Sequence, residues 1–293
     1  MNEAKGALLI MAAALLWGTM GVLGKITYAE TTIGPISLAF LRLLFAIPIL
    51  AFVSWKRQCK ISLTSREIVL FAGFGFCSLT IFEMLYFVSF AYTSVQHAAA
   101  LLYTAPAFVA IFSRLILKEK LTKHKIAAVG LSILGAFLIL GLVRGEPLFS
   151  SRSQIGDWLA IGAGLAYSSW YIFGKILGSN RDPAVTSLIG LCFGALFLFP
   201  IMAATEGVHP PQNLLAWQLV ALIGIGPTAI AYLLYLGGLK FVDATKASVF
   251  AIVEPLSAAV FGFFFLQEVL SYDSLVGFLL IISSILLIST SNR

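Results

Sequence analysis

The sequence predicts an all-α membrane protein whose ten transmembrane helices form two inverted five-helix repeats. Three observations lead there: few charges among many apolar residues, apolar runs of membrane-spanning length, and a second half that repeats the first. Of the 293 residues, 60% are hydrophobic and 11% charged, a balance outside the range of water-soluble domains. The lipid bilayer is the expected solvent.

A helix needs about twenty mostly apolar residues to cross the hydrocarbon core. Such runs read as Gly6 to Gly24, Ile33 to Trp55, Glu67 to Phe90, Gln96 to Leu117 and Lys125 to Val143 in the first half. The second half gives Ile155 to Gly178, Pro183 to Ala204, Leu214 to Lys240, Ala244 to Leu266 and Tyr272 to Ser289. The longest connection, Arg144 to Gln154, is too short for a soluble domain. The first run lacks a small-residue cleavage site and has a relative in mid-chain, so it is expected to stay in the mature protein.

A net charge of +6 suggests nucleic acid or acidic partners until the basic residues are placed. Most of the nineteen Lys and Arg, among them Lys5, Lys56, Arg57, Lys118, Lys125, Lys175 and Lys240, fall at span ends on one side if the N-terminus is inside. Only Lys25, Arg144 and Arg152 fall at the other, and Arg42 lies within a span. This asymmetry predicts a multi-pass protein of the inner (cytoplasmic) membrane with both termini cytoplasmic and no nucleic-acid partner. Cys59, Cys77 and Cys192 sit in a cytoplasmic loop or within spans, so no disulfide framework is expected.

The stretch from Ala14 to Lys25 (ALLWGTMGVLGK) aligns without gaps on Gly164 to Lys175 (GLAYSSWYIFGK). Further on, Glu83 to Tyr86 aligns on Tyr232 to Tyr235, Pro106 on Pro255, and Lys118 to Leu121 on Gln267 to Leu270. Each half has an odd number of spans, so equivalent segments cross in opposite directions, Lys25 ending outside and Lys175 inside. Inverted repeats suit secondary transporters, because two similar halves can exchange conformations around a central site. Residues 1–148 and 149–293 are the expected units.

These motifs resemble the drug/metabolite transporter superfamily, specifically its EamA-type ten-helix members. The likeness rests on Leu16, Trp17 and Gly18, on Phe40, Leu41 and Arg42, on Tyr103 to Pro106 followed by Leu117 to Leu121, and on Val253 to Pro255 followed by Leu266 to Leu270. It implies a ten-helix basket whose cavity is lined mainly by the first, third, fourth, sixth, eighth and ninth spans. It also implies export of amino acids or other small metabolites. No cofactor is expected, and the partners expected are a small-molecule metabolite and the lipid bilayer, with monomer and homodimer both open. The halves are unequal, since Gly190 stands where the first half has Arg42, and Tyr232 where it has Glu83.

An ionisable side chain at the bilayer centre costs roughly 2.5 to 3.5 kcal/mol, so Arg42, Glu83 and Glu254 need explaining. Arg42 and Glu83 both lie roughly 12 Å below the outer surface at 1.5 Å per residue, a depth that permits a salt bridge. Two readings stay open: a structural ion pair, or a site where Arg42 attracts a carboxylate and Glu83 binds an ammonium group or proton. Glu254 precedes Pro255, and Pro106 is the counterpart of that proline, so each half has one hinge-like helix; two readings stay open, freed carbonyls that bind a cation, or a helix bend whose Glu254 is satisfied by neighbouring hydroxyls. Tyr and Trp usually occupy the interfacial belts, so examples inside spans more often line a wet cavity or hydrogen-bond another helix, which nominates Trp17, Tyr86, Tyr103, Tyr167, Trp170, Tyr171, Tyr232 and Tyr235.

Two other classes compete. An intramembrane lipid-modifying enzyme needs a nucleophile or a metal, yet His97, His124 and His209 lie near span ends without a His-Glu-x-x-His helix, and no metal site is expected. Ser168 and Ser169 remain the available hydroxyls for such chemistry. A channel needs a ring of charges or carbonyl loops, which the sequence lacks.

Overall fold

The computed structural model describes residues 2–140, 149, 153–267 and 271–290, and all regular structure among them is helical. In chain order the helices are α1 (Asn2–Glu30), α2 (Pro35–Lys56), α3 (Ser65–Ser89), α4 (Val95–Leu102), α5 (Ala105–Leu115) and α6 (Lys123–Ile139). The second half supplies α7 (Gln154–Gly178), α8 (Pro183–Thr205), α9 (Leu214–Leu239), α10 (Ala244–Ala251), α11 (Val253–Leu266) and α12 (Tyr272–Ser289). Counting α4 with α5 and α10 with α11, eight helical segments among the described residues are long and apolar enough to cross a membrane. The α6 helix has 17 described residues, and the Gly, Ser and aromatic side chains of α7 lower its hydropathy. The sequence reading ends the fifth span at Val143 and places Arg144, Arg152 and Glu268 in loops or helix ends; these lie outside the described residues.

Polar residues at the breaks set the helix starts. Thr64 and Glu67 form a capping box on α3, and Ser94, Thr122, Asp182, Asn213 and Ser271 each accept a backbone N–H of the helix that follows. Each such cap contributes about 1 kcal/mol and stops the apolar run from continuing as one rod.

Packing is reciprocal between the halves. The α1 helix lies against α9, α10 and α11, while its counterpart α7 lies against α3, α4 and α5. Similarly α2 packs on α8 and on α9, α8 on α3, and α6 on α12. Two glycines permit the middle crossings. A Cβ on Gly75 would stand 2.6 Å from Gly194 N, and one on Gly224 would stand 2.5 Å from the Phe45 Cβ. A Cβ on Gly21 or Gly226 would meet only open space.

Both of these crossings contain a π-helical stretch, Phe74–Ile81 in α3 and Gly224–Ile230 in α9. Pro227 has no N–H to give the Ile223 carbonyl, and the Thr228 hydroxyl donates to that carbonyl at 3.0 Å instead. Thr80 does the same for the Gly75 carbonyl at 3.1 Å. A π turn inserts one extra residue, rotates the face that follows it, and is enriched at functional sites.

One face of the bundle is tied together by charges. Lys125 Nζ donates to Asp243 Oδ2 at 2.6 Å, the Glu119 carboxylate accepts from Ala244 N at 2.7 Å, and Lys246 pairs with Glu3. Lys175 Nζ donates to the Leu239 and Val242 carbonyls at 2.7 and 2.6 Å. All of these converge on residues 239–246, where α9 passes into α10. Glu119, at the end of the first-half motif Lys118 to Leu121, thus caps the start of α10.

Candidate functional site

Just after the π stretch of α3, Glu83 faces Arg42 of α2, and the guanidinium Nη2 donates to Glu83 Oε1. Both residues are buried, 7% and 6% exposed. Arg42 Nη1 also points at the Met20 sulfur, 3.6 Å away. Equal depth therefore does bring the two charges together. Removing either partner leaves the other buried and alone, which costs about 3–5 kcal/mol.

The second charged locus comes from two interrupted helices. After α4 the chain turns at Tyr103 and Thr104, where Tyr103 N bonds to Ala99 O and Ala100 O, and Pro106 sits in the first turn of α5. The equivalent turn at Ile252 separates α10 from α11 and leaves Glu254 and Pro255 in the first turn of α11. Each proline thus sits in the first turn after a short interruption of one membrane-length helix, where a missing N–H is tolerated, and the sequence predicted a bend at these places. The two breaks bring Tyr103 beside the Glu254 carboxyl.

Between these loci lies a cavity of about 410 Å³. Trp17, Trp170 and Tyr232 close its base, with ring centroids 6.2 Å apart for Trp17 and Tyr232 and 4.4 Å for Trp170 and Tyr232. One wall is an aromatic ladder on α3: Phe82 stacks on Tyr86 at 5.8 Å, and Tyr86 meets Phe90 edge-on at 4.8 Å. Tyr167 closes against Phe82 at 5.1 Å, and the Ser78 hydroxyl beside it shares a 2.6 Å hydrogen bond with Ser169. The lining reaches Tyr28, Pro35, Phe90 and Leu140, helix ends on the face opposite the charged tie. Among the described residues no cluster of His, Cys, Asp and Glu could hold a metal.

Of the residues nominated from sequence, Trp17, Arg42, Glu83, Tyr86, Tyr103, Tyr167, Trp170, Tyr232, Glu254 and Pro255 line this cavity. Tyr171 and Tyr235 stand behind its wall, Tyr235 fully buried and 5.3 Å from the Trp17 ring, and Pro106 is not part of the lining. Met20, Lys25, Tyr28, Phe82, Phe87 and Phe90 line it without having been singled out. The i, i+4 recurrence of rings from Phe82 through Tyr86 to Phe90 was the available signal, since those positions share one helix face. The α2 helix contributes Pro35, Leu38 and Ala39 besides Arg42, a larger share than the sequence reading gave the second span.

Comparison with known proteins agrees with this picture along the whole chain. The model of the EamA-like transporter family matches twice, over residues 4–141 and 154–290. A transporter of Archaeoglobus fulgidus is 26% identical over 290 residues, covering 97% of each chain. An inner membrane transporter of Salmonella typhimurium, YicL, is 27% identical and covers 99% of this chain and 96% of its own. The riboflavin transporter ImpX of Fusobacterium nucleatum is 27% identical and covers 99% of both. A solved crystal structure, 18% identical, superposes with a TM-score of 0.84 over 98% of each chain and so shares the fold. Two family matches that together span nearly the whole chain, on either side of residues 142–153, and eight described helices of membrane-spanning length agree: this chain is a multi-pass membrane protein, not an enzyme, and belongs to the EamA-like transporter family.

Proposed function

We propose that the chain is a secondary transporter that exports amino acids or related small metabolites across the cytoplasmic membrane by alternating access. Its ten spans form two inverted five-helix halves, residues 1–148 and 149–293, with both termini in the cytoplasm. The observation that carries this reading is the unequal state of the two faces. The cavity lining runs to the helix ends at Tyr28, Pro35 and Phe90, while the opposite face is tied by Lys125 to Asp243, Lys246 to Glu3 and Lys175 to the end of α9. A carrier caught with access from one side has this form.

Reciprocal packing of α1 on α9 to α11 and of α7 on α3 to α5 supports exchange between two such states, because each half then holds what the other must release. Lys25 and Lys175 occupy equivalent places in the repeat. In the opposite state Lys25 takes the closing role, on the carbonyls at the end of α3. Arg42, Glu83 and Glu254 meet the cargo's polar groups, Trp17, Tyr86, Tyr103, Tyr167, Trp170 and Tyr232 its apolar body, Tyr171 and Tyr235 back those rings, and Pro106 and Pro255 mark the moving segments. A relative named as a riboflavin transporter supports a small organic solute as the cargo.

Reconstitution in proteoliposomes tests the reading. Saturable counterflow of a labelled amino acid or other metabolite is expected; ohmic conductance would make the protein a channel, and conversion of the solute would make it an enzyme. Accessibility labelling is expected to find Lys25 and Lys175 in opposite compartments, and finding both in one would remove the inverted arrangement.

A further inference from the structure

The starts of α7 and α1 are equivalent in the repeat, and each is seated on the turn that leads into a broken helix. A Cβ on Gly156 would stand 2.7 Å from the Thr93 Cβ, and one on Gly6 would stand 2.8 Å from the Phe241 Cβ. Those turns match as well, Tyr92 to His97 (YTSVQH) occupying the place of Phe241 to Lys246 (FVDATK). Each puts a buried basic side chain in the first turn of the broken helix, His97 on α4 and Lys246 on α10, 5% and 1% exposed. Each faces an acid in the first turn of the helix seated there, Asp157 of α7 and Glu3 of α1. In the repeat Glu3 aligns on Ser153, and Asp157 lies one turn further along the same helix face.

The two pairs differ in state. On the closed face Lys246 is in contact with Glu3. On the face where the cavity opens, His97 Nδ1 stops 3.7 Å from Asp157 Oδ1 and has no hydrogen-bond partner among the described residues. Asp157, fully buried, accepts from the Thr93 hydroxyl at 2.8 Å, the Ser153 hydroxyl at 2.9 Å and Phe149 N at 2.8 Å, so its carboxyl is held in place. Among the described residues the other charged groups on the helices packed against α4 lie elsewhere. Lys175 of α7, Arg66 and Glu67 of α3 and Lys123, His124 and Lys125 of α6 belong to the opposite helix ends, and Glu83 is met by Arg42.

An imidazole exchanges its proton between about pH 5 and 8, and only its protonated form brings a charge to a carboxylate. Resting on the alternating-access reading above, we infer that His97 and Asp157 form a proton site that works as a latch on the outer face. Protonated, His97 donates from Nδ1 to Asp157 Oδ1. That bond fastens α4 to the start of α7 as Lys246 fastens α10 to α1, and it favours the state closed on that side. Acid outside therefore closes the cavity, and rising pH releases it. The permanent charge of Lys246 leaves the inner latch without this sensitivity.

In protein freed of Cys59, Cys77 and Cys192, a reporter cysteine introduced as Tyr28→Cys stands on the cavity lining at its open end. Its labelling by a membrane-impermeant maleimide reads opening from outside. Dividing the rate by that of the same protein carrying His97→Gln, at the same pH, cancels the titration of the thiol itself. The ratio is expected near one at about pH 8 and about tenfold lower at about pH 5.5. His97→Lys, which copies the inner cation, is expected to keep labelling low at both. Lys246→His is the reciprocal variant: labelling of Ala247→Cys from the side that holds the N-terminus is expected to rise with pH, relative to protein that keeps Lys246.

A ratio that does not change with pH overturns the inference, as does labelling of His97→Lys at the wild-type rate in the alkaline sample. Labelling needs no transported solute, so either result strikes the latch alone, whereas conductance in place of counterflow is what strikes the transporter reading.

Discussion

The two halves make the same crossing with different residues. Where α2 meets the π stretch of α9, Arg42 lies beside Ile223 and Gly224 and reaches Glu83 across the cavity. Where α8 meets the π stretch of α3, the equivalent position is Gly190, and the Phe74 ring fills the place where any side chain would go. Glu83 has Tyr232 as its counterpart, packed between Trp17 and Trp170. One duplicated framework thus carries a charged wall in its first half and an aromatic base in its second. Similar backbone crossings and dissimilar side chains thus sit on the same helices.

Removing the charge on one side only should break this contrast most severely. Arg42→Ala and Glu83→Gln are each expected to abolish counterflow, and Arg42→Ala to lower stability by about 3–5 kcal/mol in thermal unfolding. The double variant Arg42→Met with Glu83→Leu should unfold later than Arg42→Ala, because no charge is left unpaired. If Arg42→Ala and Glu83→Gln fold normally and transport at wild-type rates, the pair has no part in the site.

Gly190→Ala tests the aromatic side. The added methyl meets the Phe74 ring, and a loss of about 1–3 kcal/mol is expected in denaturant unfolding. Gly226→Ala, in open space on α9, is expected to change the same midpoint by less than about 0.5 kcal/mol. An equal effect from both would show that the crossing does not depend on Phe74.

Lys175→Met sharpens the comparison of the two faces. It deletes both hydrogen bonds to the end of α9 and is expected to increase thiol labelling, from the side of the membrane that holds the N-terminus, of a single reporter cysteine introduced as Ala247→Cys, a fully buried position on α10. Arg57→Ala should be the mildest change, since its partner Asp182 pairs with it at an exposed site, and about 0–1 kcal/mol is expected from thermal unfolding. A larger effect would place the connection between α2 and α3 among the moving parts.

Much of this molecule is legible in the chain. Apolar runs place Leu214 to Lys240 or Pro183 to Ala204 within a residue or so of α9 and α8, because in lipid a backbone must satisfy its hydrogen bonds within a helix. Mid-span Trp17, Trp170 and Tyr232 could be nominated because rings with a polar atom are costly to leave in hydrocarbon. Other features carry no such signature. Neither π stretch was anticipated, since Thr80 and Thr228 donate to carbonyls five residues back, a pattern that apolar periodicity does not report. Tyr171 and Tyr232 looked equivalent by composition, yet one stands behind the wall and the other within it.

By itself the sequence determined that the chain crosses a membrane repeatedly, that its second half repeats its first, and that Arg42, Glu83 and Glu254 are the intramembrane charges. Those follow from hydropathy, spacing and identity, which are properties of residues along a line. Only the tertiary structure decided that Arg42 is met by Glu83, that Glu254 stands beside Tyr103, and that Trp170 lines the cavity while Tyr235 does not. Pairing and its absence depend on which helix faces meet, and the rotation given by each π turn and each break at Tyr103 and Ile252 sets those faces.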